Sequence, residues 1–225
     1  MCIRDSLWLT KAAKQGHDRA QVNLGIMYLS GYGVSKDVEL ALDLWCKSAR
    51  QGYVEAQYEL GKIYFNGKHV TTDYEQANYW YTKAAEQGHS AAQIELGLMF
   101  SDGQGVTQDD EKAFAWFKKS ADQGSDVGQN NIGCCYLDGE GVTQDYEKAF
   151  AWFKKSAEQG FCPAQVELGD MCAIGKGVKK SLKDAAYWVN LAHNNSTIMP
   201  PQKDEAEKLW DTYELWKYID EAKKL

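Results

Sequence analysis

The sequence predicts an all-α protein, a right-handed α-solenoid superhelix of helix-turn-helix repeats. Three observations carry this expectation. Residues 105–124 (GVTQDDEKAFAWFKKSADQG) return at 141–160 (GVTQDYEKAFAWFKKSAEQG), with changes only at Asp110/Tyr146 and Asp122/Glu158. A recurrence of about 36 residues marks a repeat architecture, in which each unit buries its apolar face on its neighbours. Apolar residues fall three or four apart in every copy, the period of a helix. Proline is confined to positions 163, 200 and 201, as suits a chain that is almost all helix.

Composition narrows the function classes. The 225 residues carry a net charge of −7. Nucleic-acid binding needs a basic face that displaces counterions, and this balance argues against it. It also disfavours anionic membrane surfaces and permits basic partners. No run approaches the roughly 18 apolar residues of a membrane-spanning helix.

Taken in order, Met1–Ser6 (MCIRDS) back-translate to a sequence resembling the end of a transposase-type sequencing adapter. They are expected to be a read-through artefact and are set aside. Residues 7–19 form a partial repeat, with Trp8, Ala12, Ala13, Gln15 and Gly16 in phase with later copies. On this reading further repeats are expected upstream, and a signal peptide is left open.

Complete units span 20–55, 56–91, 92–127 and 128–163, and a degenerate fifth spans 164–199. Each opens on a small residue and Gln: Gln21, Gln57, Gln93, Gln129 and Gln165. A Leu/Ile–Gly pair follows on the same helix, here helix A, at Gly25, Gly61, Gly97, Gly133 and Gly169. Glycine inside a helix costs about 1 kcal/mol relative to Ala. Its return in each copy predicts a neighbour packed too closely for a Cβ. Gly31, Gly67, Gly103, Gly139 and Gly175 end helix A, since glycine permits the left-handed closing residue. Asp37, Asp73, Asp109 and Asp145 are N-caps for a second helix, B, with Ser181 at that place in the fifth unit. The buried stripe of helix B reads Ala41, Leu44, Trp45, Ser48, Ala49 in the first unit and Ala113, Trp116, Phe117, Ser120, Ala121 in the third. Pro200-Pro201 stops the pattern. Lys203–Lys223 then reads as one more helix, so 200–225 is expected to cap the array, with Ala206, Leu209, Trp210, Tyr213 and Trp216 on one side.

The string Ala-x-x-x-Leu-Gly-x-x-Tyr-x-x-Gly-x-Gly-Val, then Asp, then Lys-Ala-x-x-Trp-Tyr/Phe-x-x-Ala-Ala-x-Gln-Gly, resembles the Sel-1-like repeat, a relative of the tetratricopeptide repeat. The resemblance runs from Leu7 to about His193. It implies a bacterial adaptor or scaffold that holds other proteins and is not an enzyme. In tetratricopeptide-like solenoids the exposed residues of helix A line the concave groove. By that resemblance a partner meets Asn23, Ile26 and Ser30, then Tyr58, Glu59, Lys62 and Asn66. Glu95, Leu98 and Asp102 come next, then Asn131 and Asp138, then Glu167 and Asp170. The set is acidic, with a single Lys. A carboxylate clamp needs basic residues there, so the expected partner is instead a protein or peptide segment bearing Lys or Arg. A solvated acidic face and a structural spacer are the bland alternatives. One cysteine-rich branch of the family has been associated with β-lactam binding or hydrolysis, through repeats that each carry a cysteine pair. Here Cys46, Cys134, Cys135, Cys162 and Cys172 occupy mutually different repeat positions, which is no disulfide framework. That departure weakens the β-lactam reading and mildly favours a reducing compartment.

Other chemistry is hard to find. Residues 169–177 (GDMCAIGKG) fail as a phosphate loop in spacing and in lacking Ser or Thr after Lys176. His17, His69, His89 and His193 are too spread to ligate a metal, and no Cys-x-x-Cys or His-Glu-x-x-His occurs. The tryptophans read as repeat-core residues. Lys176, Lys179, Lys180 and Lys183 read as a solvated loop and helix start. The sequence asks for no cofactor.

Overall fold

The computed structural model describes the backbone of residues 3–195 and 200–219, with side chains from residue 8 onward. The described residues form α-helices, one 3-10 turn and no strand. The chain divides into two compact units, residues 1–108 and 109–225.

The first unit holds α1 (Ile3–Lys14), α2 (Asp18–Ser30), α3 (Val38–Arg50), α4 (Val54–Asn66), α5 (Tyr74–Glu86) and α6 (Ser90–Asp102). Helices α2 and α3 pair, as do α4 and α5, and each pair stacks on the next through α3 and α4 and through α5 and α6. The second unit holds α7 (Asp110–Asp122), α8 (Asp126–Asp138), α9 (Tyr146–Glu158), α10 (Cys162–Ile174), α11 (Leu182–His193) and α12 (Pro200–Thr212), then a 3-10 turn at Leu215–Tyr218. There α8 pairs with α9 and α10 with α11.

The local rules explain the elements. Asp37, Asp73, Asp109 and Asp145 each accept a hydrogen bond from the backbone N–H three residues on, at 2.9–3.0 Å. Ser181 does the same for α11 at 3.2 Å. These caps satisfy N–H groups that a helix start leaves without partners. Helices α2, α4, α6, α8 and α10 all end on a glycine with φ between 62° and 81°. A Cβ is disfavoured in that left-handed backbone, so glycine closes each helix.

The recurring mid-helix glycine has a specific neighbour. A Cβ on Gly133 would stand 2.7 Å from Phe153 Cδ1, and one on Gly25 would stand 2.7 Å from Trp45 Cδ1. Tyr81 covers Gly61 and Val189 covers Gly169 in the same way. The glycine is therefore the seat of a bulky side chain from helix B. Trp45 adds a hydrogen bond from its indole Nε1 to Val22 O at 2.9 Å. Burying the ring without leaving its N–H unpaired is what makes tryptophan tolerable here.

The opening glutamines are buried as well. The Nε2 groups of Gln21, Gln57, Gln93 and Gln165 donate to the carbonyls of Ala13, Ala49, Ala85 and Ala157, at 3.0–3.3 Å. Each tie pins the start of helix A to the last turn of the helix before it. The same carbonyls accept from the N–H of Gly16, Gly52, Gly88 and Gly160, so the glutamine is a further donor that an apolar residue would not supply.

Two expectations are corrected. Lys203–Lys223 is not one helix. Helix α12 starts at Pro200, where the fixed proline φ suits a first turn, and ends at Thr212. Glu214 then takes φ 51°, which breaks the helix and turns Leu215 into the core. Ala206 and Leu215 are fully buried with Leu209, Trp210 and Tyr213 against them, while Trp216 is exposed. Residues 220–225 lie outside the described residues. Within the α7 stripe, Ala113, Phe117, Ser120 and Ala121 are buried but Trp116 is only half-buried. The Lys119 ammonium sits 3.7 Å from the centre of its ring.

Candidate partner-binding faces

In the first unit, four expected residues meet across α4 and α6. Glu59 and Lys62 lie one helical turn apart on α4, a spacing that brings side chains together. Lys62 Nζ donates to Glu59 Oε1 at 2.9 Å and stands 5.3 Å from the centre of the Tyr58 ring. Its pKa is raised, chiefly by the hydrogen bond to Glu59. Glu95, from α6, is half-buried, and burial raises its pKa although Lys62 pulls it down. Tyr58 has a raised pKa from burial, with Glu95 adding to it.

Two further residues complete this cluster. The His89 ring lies 4.4 Å from the Tyr58 ring, and the Tyr81 ring lies 5.8 Å from it. Burial lowers the His89 pKa. His89 is also the N-cap of α6, its Nδ1 accepting from Ala92 N at 3.2 Å. His89 stands three residues before Ala92, the spacing at which an N-cap side chain meets the first turn. The result is an aromatic wall faced by one lysine and two carboxylates. Such a wall favours a cation through the ring quadrupole and through direct charge.

The other first-unit residues stand apart from this cluster. Asn23 is half-buried on α2. Asn66 Nδ2 donates to Lys62 O at 2.9 Å and serves the end of α4. Leu98 and Asp102 are exposed on α6.

In the second unit, Glu167 on α10 is the focus. It is half-buried, and its pKa is pushed up to about 7 by burial and then by Glu205, Asp170 and Asp138, with Lys176 opposing. Asp138 is exposed at the end of α8, and Asn131 is half-buried one turn earlier than the α8 cysteines. Glu205 belongs to α12, so the terminal helix adds a carboxylate that the sequence reading did not include. Cys134 and Cys135 are pushed up to about 12 by burial, which keeps them protonated and unreactive near neutral pH. Cys46, Cys134, Cys135, Cys162 and Cys172 are all free thiols.

Among the described residues no group of three or more His, Cys, Asp or Glu is placed to hold a metal. No described helix is long and apolar enough to cross a membrane.

Capped helix pairs, a glycine seat in each and an acidic exposed face define an all-helical repeat scaffold. A Sel1 repeat family model matches residues 7–17, 18–53, 54–89, 90–125, 127–161 and 162–194. The chain belongs to the Sel1 repeat family. It is similar to a protective antigen present in uropathogenic Escherichia coli strains, with 34% identity over 93% of this chain and a TM-score of 0.81. The chain spans about half of that antigen, 48% of its length. It is also similar to a Sel1 repeat protein from Oxalobacter formigenes, at 26% identity, 94% of this chain, 99% of the other and a TM-score of 0.79. A third structure, a Klebsiella pneumoniae Sel1 repeat protein, is 24% identical over 93% of this chain and 99% of its own, with a TM-score of 0.52. No curated protein matches the chain. Sel1 repeat proteins are in general protein-interaction scaffolds, and the fold is typically non-catalytic.

Proposed function

We propose that the chain is a non-catalytic adaptor that holds a partner protein or peptide on the exposed faces of its first-in-pair helices, through a Lys- or Arg-bearing segment. The observation that carries this reading is the Tyr58–Glu59–Lys62–Glu95 cluster. Lys62 sits on Glu59 and over Tyr58, in the place a partner's cation would take. Glu167, Asp170 and Asp138 offer a second acidic patch on the second unit. Affinity then comes from a few aromatic and charged anchors, and the acids set orientation and association rate.

The test is a pull-down with mass spectrometry from the native host's lysate, comparing wild type with Glu59→Lys/Glu95→Lys/Glu167→Lys. Circular dichroism first checks that both fold. Partners lost by the variant support the adaptor reading. Identical captures make the acidic faces solvated surface and end it.

A further inference from the structure

The sequence places an aromatic series at a period of 36: Trp8, Trp80, Trp116, Trp152 and Trp188. One member is missing, because the position between Trp8 and Trp80 is Leu44. In the next repeat Trp80 is 7% exposed and belongs to a cluster with Leu60 and Ala49, against which Cys46 and Tyr64 pack. One repeat earlier the corresponding residues are Leu44, Leu24, Ala13, Thr10 and Tyr28. All five line a cavity of about 440 Å³ among α1, α2 and α3. The cavity thus takes in the tryptophan slot of this repeat, with a smaller side chain at the position that supplies the indole elsewhere. Apolar cavities of about 150 Å³ already hold benzene, and ligand pockets begin at about 300 Å³.

The rim carries charge. Lys47 Nζ is paired with Asp43 Oδ2 at 2.6 Å, whereas Lys14 is exposed with no acidic partner among the described residues. A carboxylate at the mouth would complement that lysine.

We propose that this cavity binds a planar aromatic small molecule of indole size that carries a negative charge directed at Lys14. The site lies away from the acidic faces and stands independently of the adaptor reading.

The test is calorimetry with indole-3-acetate as probe and tryptamine as its cationic counterpart. Wild type should bind indole-3-acetate saturably, and tryptamine roughly tenfold more weakly. Leu44→Trp should abolish the binding and raise the melting temperature by a few degrees, because the variant's own indole fills the slot. Lys14→Glu, an exposed change that keeps the test open if Leu44→Trp does not fold, should reverse the preference between the two probes. Absence of saturable binding to wild type, or equal binding to a folded Leu44→Trp, overturns the site. Equal affinity for both probes in wild type overturns the charge assignment.

Discussion

Gln87 Nε2 donates to Gln57 Oε1 over 2.7 Å, joining the end of α5 to the start of α4. The same pair recurs as Gln51 to Gln21 and Gln159 to Gln129, both at 2.9 Å. A buried glutamine therefore serves three helices, donating to the one before its own and accepting from the one after. Gln57→Met keeps the volume and removes both bonds. The Ala49 carbonyl keeps its bond from Gly52 N and the Gln87 amide its contact with Lys83 O, so the change should cost about 0.5–1.5 kcal/mol, read from urea unfolding. A loss within 0.5 kcal/mol or so would mean that water replaces the glutamine.

The last repeat lacks one rung. Asn195 stands at the place of the distal glutamine, and Gln165 Oε1 is buried with no partner among the described residues. Asn195→Gln adds the missing methylene. It should stabilise the chain by about 0.5–1.5 kcal/mol, seen as a rise in unfolding midpoint without a change in slope.

Gly133→Ala puts a methyl against the Phe153 ring, which is fully buried and has nowhere to go. A loss of about 1–3 kcal/mol is expected despite alanine's better helix propensity. Adding Phe153→Leu should recover part of it, and a double-mutant cycle measures how much. Additive losses would show that the glycine is not a seat for the ring.

Glu167 sets a pH dependence. Burial pushes its pKa in the folded protein up to about 7, above the ordinary carboxyl value of 4.5. A raised carboxyl favours the folded state fully below about pH 4.5 and loses that contribution as pH rises through about 7. Glu167→Gln should therefore stabilise the protein at pH 8 by on the order of 1–2 kcal/mol, seen as a higher melting temperature, and change little at pH 4.5. An unchanged difference between variant and wild type across that window would contradict the shift.

Lys62→Met bares the Tyr58 ring and leaves Glu59 without its cation. Under the adaptor reading, affinity for a short oligolysine peptide should rise roughly threefold to tenfold in calorimetry. A fall would show that Lys62 itself contacts the partner.

Much of the fold was legible because it is periodic. The Asp caps, the closing glycines and the close approach at Gly133 all follow from local rules repeated in phase. What covers Gly133 was not legible, since Trp152 and Phe153 are adjacent and periodicity alone does not rank them. The structure seats Phe153 on the glycine and leaves Trp152 half-buried under Lys155. The end of α12 was hidden because Glu214 carries no glycine-like signal for its positive φ. At the candidate site, the meeting of Tyr58, Glu59 and Lys62 was readable from one helix. Their contact with His89 depends on how α4 and α6 pack, and a single sequence does not encode that openly.

The rung missing at Gln165 bears on the order in which the second unit opens. Helices α10 and α11 keep the Asn195 Nδ2 to Gly160 O bond at 3.2 Å but lack the Gln-to-Gln bond found between α8 and α9, so their amides should exchange with solvent before those of the pair ahead of them. The array then frays from this edge inward, and the apolar faces of Ala185, Ala186 and Val189 are the first to be uncovered. A protease or a chaperone meeting the chain would find its handle there, while the paired repeats were still intact.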